Sequence, residues 1–312
     1  MFAYVVRRIF QMIPTMFGVM LLLFILFNWV GGDPSYILAG KSLSDQMLAN
    51  IRTQLGLDKS QLEQFLIFVR QVITLDFGTS WSTQQPVSSI LAARVGPSVT
   101  LTGSIMFVST TLSVLMASAV AYVRGSLTDR MVTLICTTAM SVSALVYIIA
   151  GQYWLAHKFG WFPVIGWSDS LATNFVTYLP LPVLLGVIVS LAPDLRFYRS
   201  CFVEEMNHDY VRTARAKGLS EPKIMLKHVM RNALIPVVTS IMMSLPYLLV
   251  GALLLETFFS IPGMGREVIM AVDKSDFPVI KAVTIYVALA TMVFNLLADV
   301  VYKFIDPRVQ LK

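Results

Sequence analysis

Charge is what this chain has least of. Asp, Glu, Lys and Arg together make up 13% of its 312 residues, where a soluble globular domain carries about 25%. Histidine and cysteine are scarcer still, at three and two. Cys136 and Cys201 make no disulfide framework. His157, His208 and His228 fall at no zinc-ligand spacing, and no H-E-x-x-H or G-x-S-x-G is present. Gly40-Lys41-Ser42 looks like the end of a phosphate loop, but the glycine required five positions earlier is Ser35. Gly263-Met264-Gly265 is half of a nucleotide-loop pattern and reads as a turn. Hydrolytic, redox and metal chemistry therefore have no visible machinery, and no catalytic residue or metal ligand is assigned.

What is present is apolar. Hydrophobic residues reach 56% and mean hydropathy is +0.71. A soluble fold of this composition would expose large greasy patches, and a disordered chain would be polar and charged. The expected class is an all-α polytopic membrane protein. A spanning helix needs roughly 20 apolar residues, and six stretches qualify: Ile9–Val30, Ser98–Val123, Met131–Ala156, Leu179–Phe197, Leu234–Phe258 and Ile280–Tyr302. The first follows Arg7 and Arg8 as a signal peptide would. Its apolar run of about 22 residues exceeds the roughly 7–15 of a signal core, and Gly31-Gly32-Asp33-Pro34 rather than an A-x-A site follows. It is read as an anchored span.

Six spans place both termini on one side. The loops of that side, with the tails, hold fifteen Lys and Arg, against eight on the other; Lys281 sits at a boundary. The positive-inside rule then predicts cytosolic termini and a cytosolic fourth loop. The expected division is a cytosolic N-terminus with the first span at 1–30, an external helical segment at 31–97, a core at 98–302 that contains an inner elbow at 199–233, and a cytosolic tail at 303–312.

The external segment is patterned. Ser60-Gln61-Leu62-Glu63 reads as a capping box, followed by an apolar stripe of Leu62, Phe65, Leu66, Val69, Val72 and Ile73 at helical spacing. A shorter helix is expected around Ser44–Leu55, and Pro86–Ala93 can start a third. The polar face of the capped helix, with Gln61, Gln64, Arg70 and Gln71, is the candidate docking surface for something delivered from outside. Ionisable groups inside spans are costly and are functional candidates by default. Glu256 and Asp299 are assigned there, with Asn295 one turn before Asp299 and Lys303 one turn after it as a partner. A proton- or sodium-coupled carrier would need such groups near the bilayer midplane; both carboxylates lie near span ends, which disfavours that reading.

The fourth loop is the most informative. Helix-favouring residues run from Asp209 through Tyr210, Arg212, Thr213, Ala214 and Arg215 to Lys217, and Gly218 can supply the left-handed stop. Pro222 opens a second helix leading into the fifth span. The prediction is a helix–turn–helix elbow whose mixed charge suits a protein partner.

Tyr210-Val-Arg-Thr-Ala-Arg-Ala-Lys-Gly218-Leu-Ser, with Arg231-Asn-Ala-Leu-Ile-Pro236 downstream, closely resembles the inner-membrane permease subunits of ABC importers for dipeptides, oligopeptides and nickel. The resemblance extends over the chain through Arg8–Pro14, Gly32-Asp33-Pro34, Asp76-Phe77-Gly78-Thr79-Ser80, Phe259–Arg266, Asp276-Phe277-Pro278, Asn295–Asp299 and Asp306-Pro307-Arg308. On the importers' E-A-A-x-x-x-G pattern, Arg212, Thr213 and Ala214 stand where E-A-A is expected and Gly218 matches. The acidic position is thus basic here, and the stretch from Gly218 to Pro236 is longer than the general pattern. The resemblance implies a type I importer permease of six transmembrane helices in a bacterial inner membrane. It implies that Tyr210, Arg212, Thr213, Ala214, Arg215, Lys217 and Gly218 form the coupling helix seated on an ATPase. It implies partners as well: a second homologous permease, two ATPase subunits carrying ATP and Mg, an extracytoplasmic solute-binding protein and the lipid bilayer, with no nucleic acid. Short peptides are the expected cargo, with a nickel chelate or another small solute as the alternative.

Overall fold

The computed structural model describes residues 2–30, 35, 46, 52, 53 and 56–305. Gly32-Asp33-Pro34, Gly40-Lys41-Ser42, the helix expected at Ser44–Leu55 apart from three positions, the side chain of Lys303 and the Asp306-Pro307-Arg308 tail lie outside the described residues. The described chain is helical, with one isolated bridge between Thr79 and Pro86 and no strand. In order the helices are α1 (Phe2–Ile25), α2 (Gln61–Thr74), α3 (Val87–Tyr122), α4 (Leu127–Met140), α5 (Ala144–Gly151), α6 (Pro180–Glu205), α7 (Asp209–Ala216) and α8 (Glu221–Ile224). Then follow α9 (Met230–Ser244), α10 (Pro246–Val250), α11 (Leu253–Phe258), α12 (Met264–Asp273) and α13 (Phe277–Ile305).

Five stretches are long and apolar enough to cross a membrane: Tyr4–Asn28, Val87–Tyr122, Pro180–Glu205, Glu221–Phe258 and Phe277–Val301. A bent pair makes a sixth if it is counted as one span. The third predicted span breaks at Ser141–Ser143, and α4 meets the Ala144–Lys158 stretch at 90°. Ser143 explains the restart, because its hydroxyl caps the amide of Leu145, satisfying one of the free donors at a helix start. Elsewhere the helices outrun the apolar runs. α3 starts eleven residues before the predicted span, directly after Pro86, so the third external helix and the second span are one rod.

The rods pack through small residues. On α3 the buried series Ser98, Leu101, Ile105, Ser109, Ser113, Ala117 and Ala121 repeats at three- and four-residue steps, and this face lies on α6. At Gly186 of α6 a Cβ would stand 2.5 Å from Ile105, so glycine sets the closeness of the two backbones, as is usual between membrane helices. α1 runs antiparallel to α13. Tyr4 and Arg8 meet Asp299 at one end, and Phe27 meets Phe277 at the other.

α2 is rotated relative to its predicted stripe. Its capping box forms, with Glu63 N–H donating to Ser60 and Ser60 N–H to Glu63. The buried residues, however, are Phe68 and Val72, while Phe65 packs edge-on against Phe17 and Phe24. Leu62, Leu66 and Ile73 are exposed. Phe65, Val69 and Val72 of the predicted stripe pack inward beside Phe68, and the aromatic contacts with α1 centre the buried face there.

Candidate functional site

The elbow forms where α6 ends. α7 stops in a Schellman arrangement: Gly218 N–H donates to Arg215 C=O at 2.9 Å and Leu219 N–H to Ala214 C=O at 3.3 Å, with Gly218 at φ +76°. Nothing lies within 4 Å of a Cβ built on Gly218, so its requirement is conformational. Ser220 and Glu221-Pro222 then open α8. Val211 and Ala214 are buried against Phe202, Ile224 and Val229, forming a core of the elbow itself. The Arg215 guanidinium forks onto Glu221 at 2.6 and 3.2 Å, tying α7 to α8, and the Glu221 carboxylate raises the pKa of Arg215 above the usual arginine value. Tyr210 is half-buried and donates to Glu205 at 2.5 Å. Burial first, then that carboxylate, push its phenol up to about 12, so Tyr210 is a neutral donor. Arg212, Thr213, Arg215, Lys217 and Gly218 are exposed. The elbow thus offers a rigid cationic ridge whose inner side is anchored.

Sequence reasoning did not single out two polar contacts that brace this end. Asp129, 5% exposed, receives a bidentate fork from Arg199 at 2.6 and 2.7 Å, so an arginine counted as a topology signal also locks α4 to α6. Asp194, in the middle of the bundle after Pro193, accepts from Ser109 at 2.9 Å. Asp129 stands beside Arg130 among the loop charges, whereas Asp194 lies inside the predicted fourth span and was passed over when ionisable groups in spans were assigned.

Asp299 is held from the first helix. Its carboxylate accepts from Tyr4 at 2.9 Å and pairs with Arg8 at 3.1 Å. Arg8, Asn295 and Asp299 line a cavity of about 340 Å³ with Thr239, Met242 and Met243. A neighbouring hollow of about 490 Å³ shares Thr239 and Met243 and adds Ser240, Ser244 and Tyr247. A hydroxyl-bearing face of α9 therefore looks onto open space on both sides of Met243.

Glu256 is fully buried at the opposite end. The fifth span unwinds at Gly251-Ala252, with Gly251 at φ +80°, and the Glu256 carboxylate fills the break. It accepts from Ser98 at 2.7 Å, Ala252 N–H at 3.1 Å and Arg266 N–H at 3.1 Å, while Ser98 accepts from Met264 N–H. Gly251, Gly263 and Gly265 all face the carboxylate so closely that a Cβ on any of them would collide with it or with Leu253. Glu256 is thus a staple between α3, α11 and the start of α12. Of the predicted external polar face, Gln64 bonds Asn28 and the carbonyls of Leu57 and Lys59, Gln71 turns toward a cavity beside α13, and Arg70 is exposed.

Residues 109–311 match the family model described as binding-protein-dependent transport system inner membrane component, and residues 1–102 match the N-terminal model of the same membrane component. The chain is 35% identical over all 312 residues, and over the whole of the relative, to the glutathione transport system permease protein GsiC of Salmonella typhimurium (strain LT2). The protein of the same name from Escherichia coli (strain K12) is 34% identical over the same full lengths.

Proposed function

Because this chain belongs to the family of binding-protein-dependent transport system inner membrane components, and is thus a non-catalytic, multi-pass permease subunit of an ABC importer, we propose that it forms half of a translocation path for short peptides of about tripeptide size. The observation that carries the substrate reading is the full-length similarity to permeases named for glutathione transport, glutathione being a tripeptide. ATPase and binding-protein partners follow from the family; our reading of their arrangement is as follows. Two ATPase subunits hold ATP and Mg, one of them receives the ridge of Arg212, Thr213, Arg215 and Lys217, and a second, similar permease closes the path against the face of α9 that carries Thr239, Ser240 and Ser244. Both termini and the elbow lie in the cytosol, in keeping with the fifteen-to-eight division of basic residues. The solute-binding protein docks at the other end, where Arg70 is exposed.

A rigid elbow joined to α6 and α9 can pass ATPase closure to the bundle as rigid-body rocking. The chain's own chemistry is limited to holding polar groups in place. The test is uptake by the reconstituted complex of this permease with its partners. ATP-dependent accumulation of glutathione or a tripeptide, competed by other short peptides, is the expected result. Uptake of a nickel chelate without any peptide uptake would overturn the substrate assignment.

A further inference from the structure

Beside the first turn of α13, between α1 and α2, lies a cavity of about 850 Å³, within the 300–1,000 Å³ usual for small-molecule sites. Lys281 lines it. This ammonium stands at the start of an apolar span, where an unpaired charge is costly and marks function by default. Among the described residues no carboxylate lies in ion-pair contact with it. Its neighbours are the ring faces of Phe27 at 5.3 Å and Phe68 at 5.5 Å. Aromatic faces attract a cation but accept no conventional hydrogen bond, so among the described residues the three N–H donors of the ammonium meet no acceptor and can serve an anion. The same cavity presents the side-chain amide of Gln71, with a donor and an acceptor matched to a peptide bond, and Asp58 and Arg52 of opposite charge. A lipid phosphate would use Lys281 but would have no need of the amide or of Asp58.

We propose that this cavity binds a short peptide by its ends, with Lys281 holding the terminal carboxylate, Gln71 a peptide amide and Asp58 the terminal ammonium. The inference rests on the peptide-importer reading and extends it to a site on the permease itself, distinct from the α9 path.

The test uses the whole importer complex in phosphatidylcholine nanodiscs, without binding protein, and radiolabelled trialanine in equilibrium dialysis. Trialanine should bind, and its C-terminal amide should bind at least tenfold more weakly, a comparison that needs no variant. Lys281→Met should weaken trialanine at least tenfold and leave the amide unchanged, while Lys281→Arg should stay within threefold of wild type. Absence of trialanine binding, equal binding of acid and amide, or unchanged binding in Lys281→Met overturns the site. So does Lys281-dependent retention of phosphatidylglycerol, seen by native mass spectrometry, with no trialanine bound. Binding-protein-driven uptake of trialanine is followed in parallel. Uptake without Lys281-dependent binding refutes the site alone, and Lys281-dependent binding without uptake refutes the importer's substrate assignment alone.

Discussion

Ser80 donates a 2.5 Å hydrogen bond to the carboxylate of Asp276, a residue 196 positions away. The same carboxylate accepts from the amides of Trp81 and Ser82 at 3.1 and 3.2 Å, and Trp81 packs edge-on against Phe277. The Asp76–Ser80 and Asp276–Pro278 motifs, separate in sequence, are two halves of one clasp. It fixes the segment before α3 to the turn that starts α13, and so fixes the wall of the Lys281 cavity.

The clasp makes stability depend on pH. Burial, the largest influence, raises the pKa of Asp276, but the Ser80 hydroxyl and the Trp81 and Ser82 donors outweigh it and hold the acid below its ordinary 3.8. A group depressed on folding stabilises fully above its unfolded value and loses that contribution as pH falls through the folded one. Limited proteolysis of the 75–86 segment should therefore be independent of pH above about 5 and should accelerate below about 4. Asp276→Asn should accelerate it at every pH, because an amide nitrogen then faces donors, costing about 1–3 kcal/mol. Acid sensitivity that persists unchanged in Asp276→Asn would place its origin elsewhere.

At Gly218 the surroundings are open and only φ is demanding, so side-chain size should matter little and left-handed tolerance should matter most. Gly218→Val and Gly218→Ala should each weaken the elbow by about 1–2 kcal/mol, whereas Gly218→Asn should be nearly silent, since asparagine tolerates this region. Substrate-stimulated ATP turnover of the assembled complex should fall in the first two and hold in the third. Normal turnover in Gly218→Val would show that the turn survives without glycine and would remove this residue from the coupling argument.

The elbow was legible in sequence because its determinants are local: a helix-favouring run, a glycine stop and a proline restart within fourteen residues. The spans were legible because hydropathy needs no partner. What could not be read were contacts between distant residues. Asp129 read as a loop charge, and Asp194, although inside the predicted fourth span, drew no assignment; Arg199 and Ser109 stand beside them only in the fold. Asp299 meets Arg8 and Tyr4 of the first helix, contacts that no local spacing announces. The face of α2 was read only in part: Phe65, Val69 and Val72 of the stripe pack inward, but Phe68, left out of it, is buried and Leu62 is not, because the rings of α1 that receive the helix are distant in sequence.

The Arg199–Asp129 fork should be strongly asymmetric under mutation. Arg199→Met strands a buried carboxylate, an effect of about 3–5 kcal/mol, whereas the pair Arg199→Met with Asp129→Leu removes both charges and should recover most of that loss. Arg199→Lys keeps charge but cannot make two parallel bonds and should fall between. Thermal denaturation of the purified complex ranks the three. Equal stability of Arg199→Met and wild type would mean that the fork is solvated and carries little.

Glu256 was assigned as a pathway or structural residue, and its surroundings separate the two roles. Every acceptor position on its carboxylate that the structure shows in use meets a donor of this chain, from Ser98, Ala252 or Arg266, and three glycines close around it. Such a group has little left to offer a passing solute. Glu256→Gln should therefore lower thermal stability by about 1–3 kcal/mol through an amide turned toward donors, and transport should decline only as far as folded complex is lost. Gly265→Ala should be as damaging, because its Cβ would lie 2.6 Å from the Cα of Leu253 and backbone cannot step aside; overpacking of this kind costs about 1–3 kcal/mol. Gly263→Ala should lose slightly less, since its Cβ would meet the Glu256 carboxylate and the Ser98 hydroxyl, side-chain ends that can shift at the expense of their hydrogen bonds. Uptake per folded complex and melting temperature, measured on the same preparations, decide the matter. A Glu256→Gln complex of wild-type stability that no longer transports would make this carboxylate part of the path rather than the staple that holds its wall.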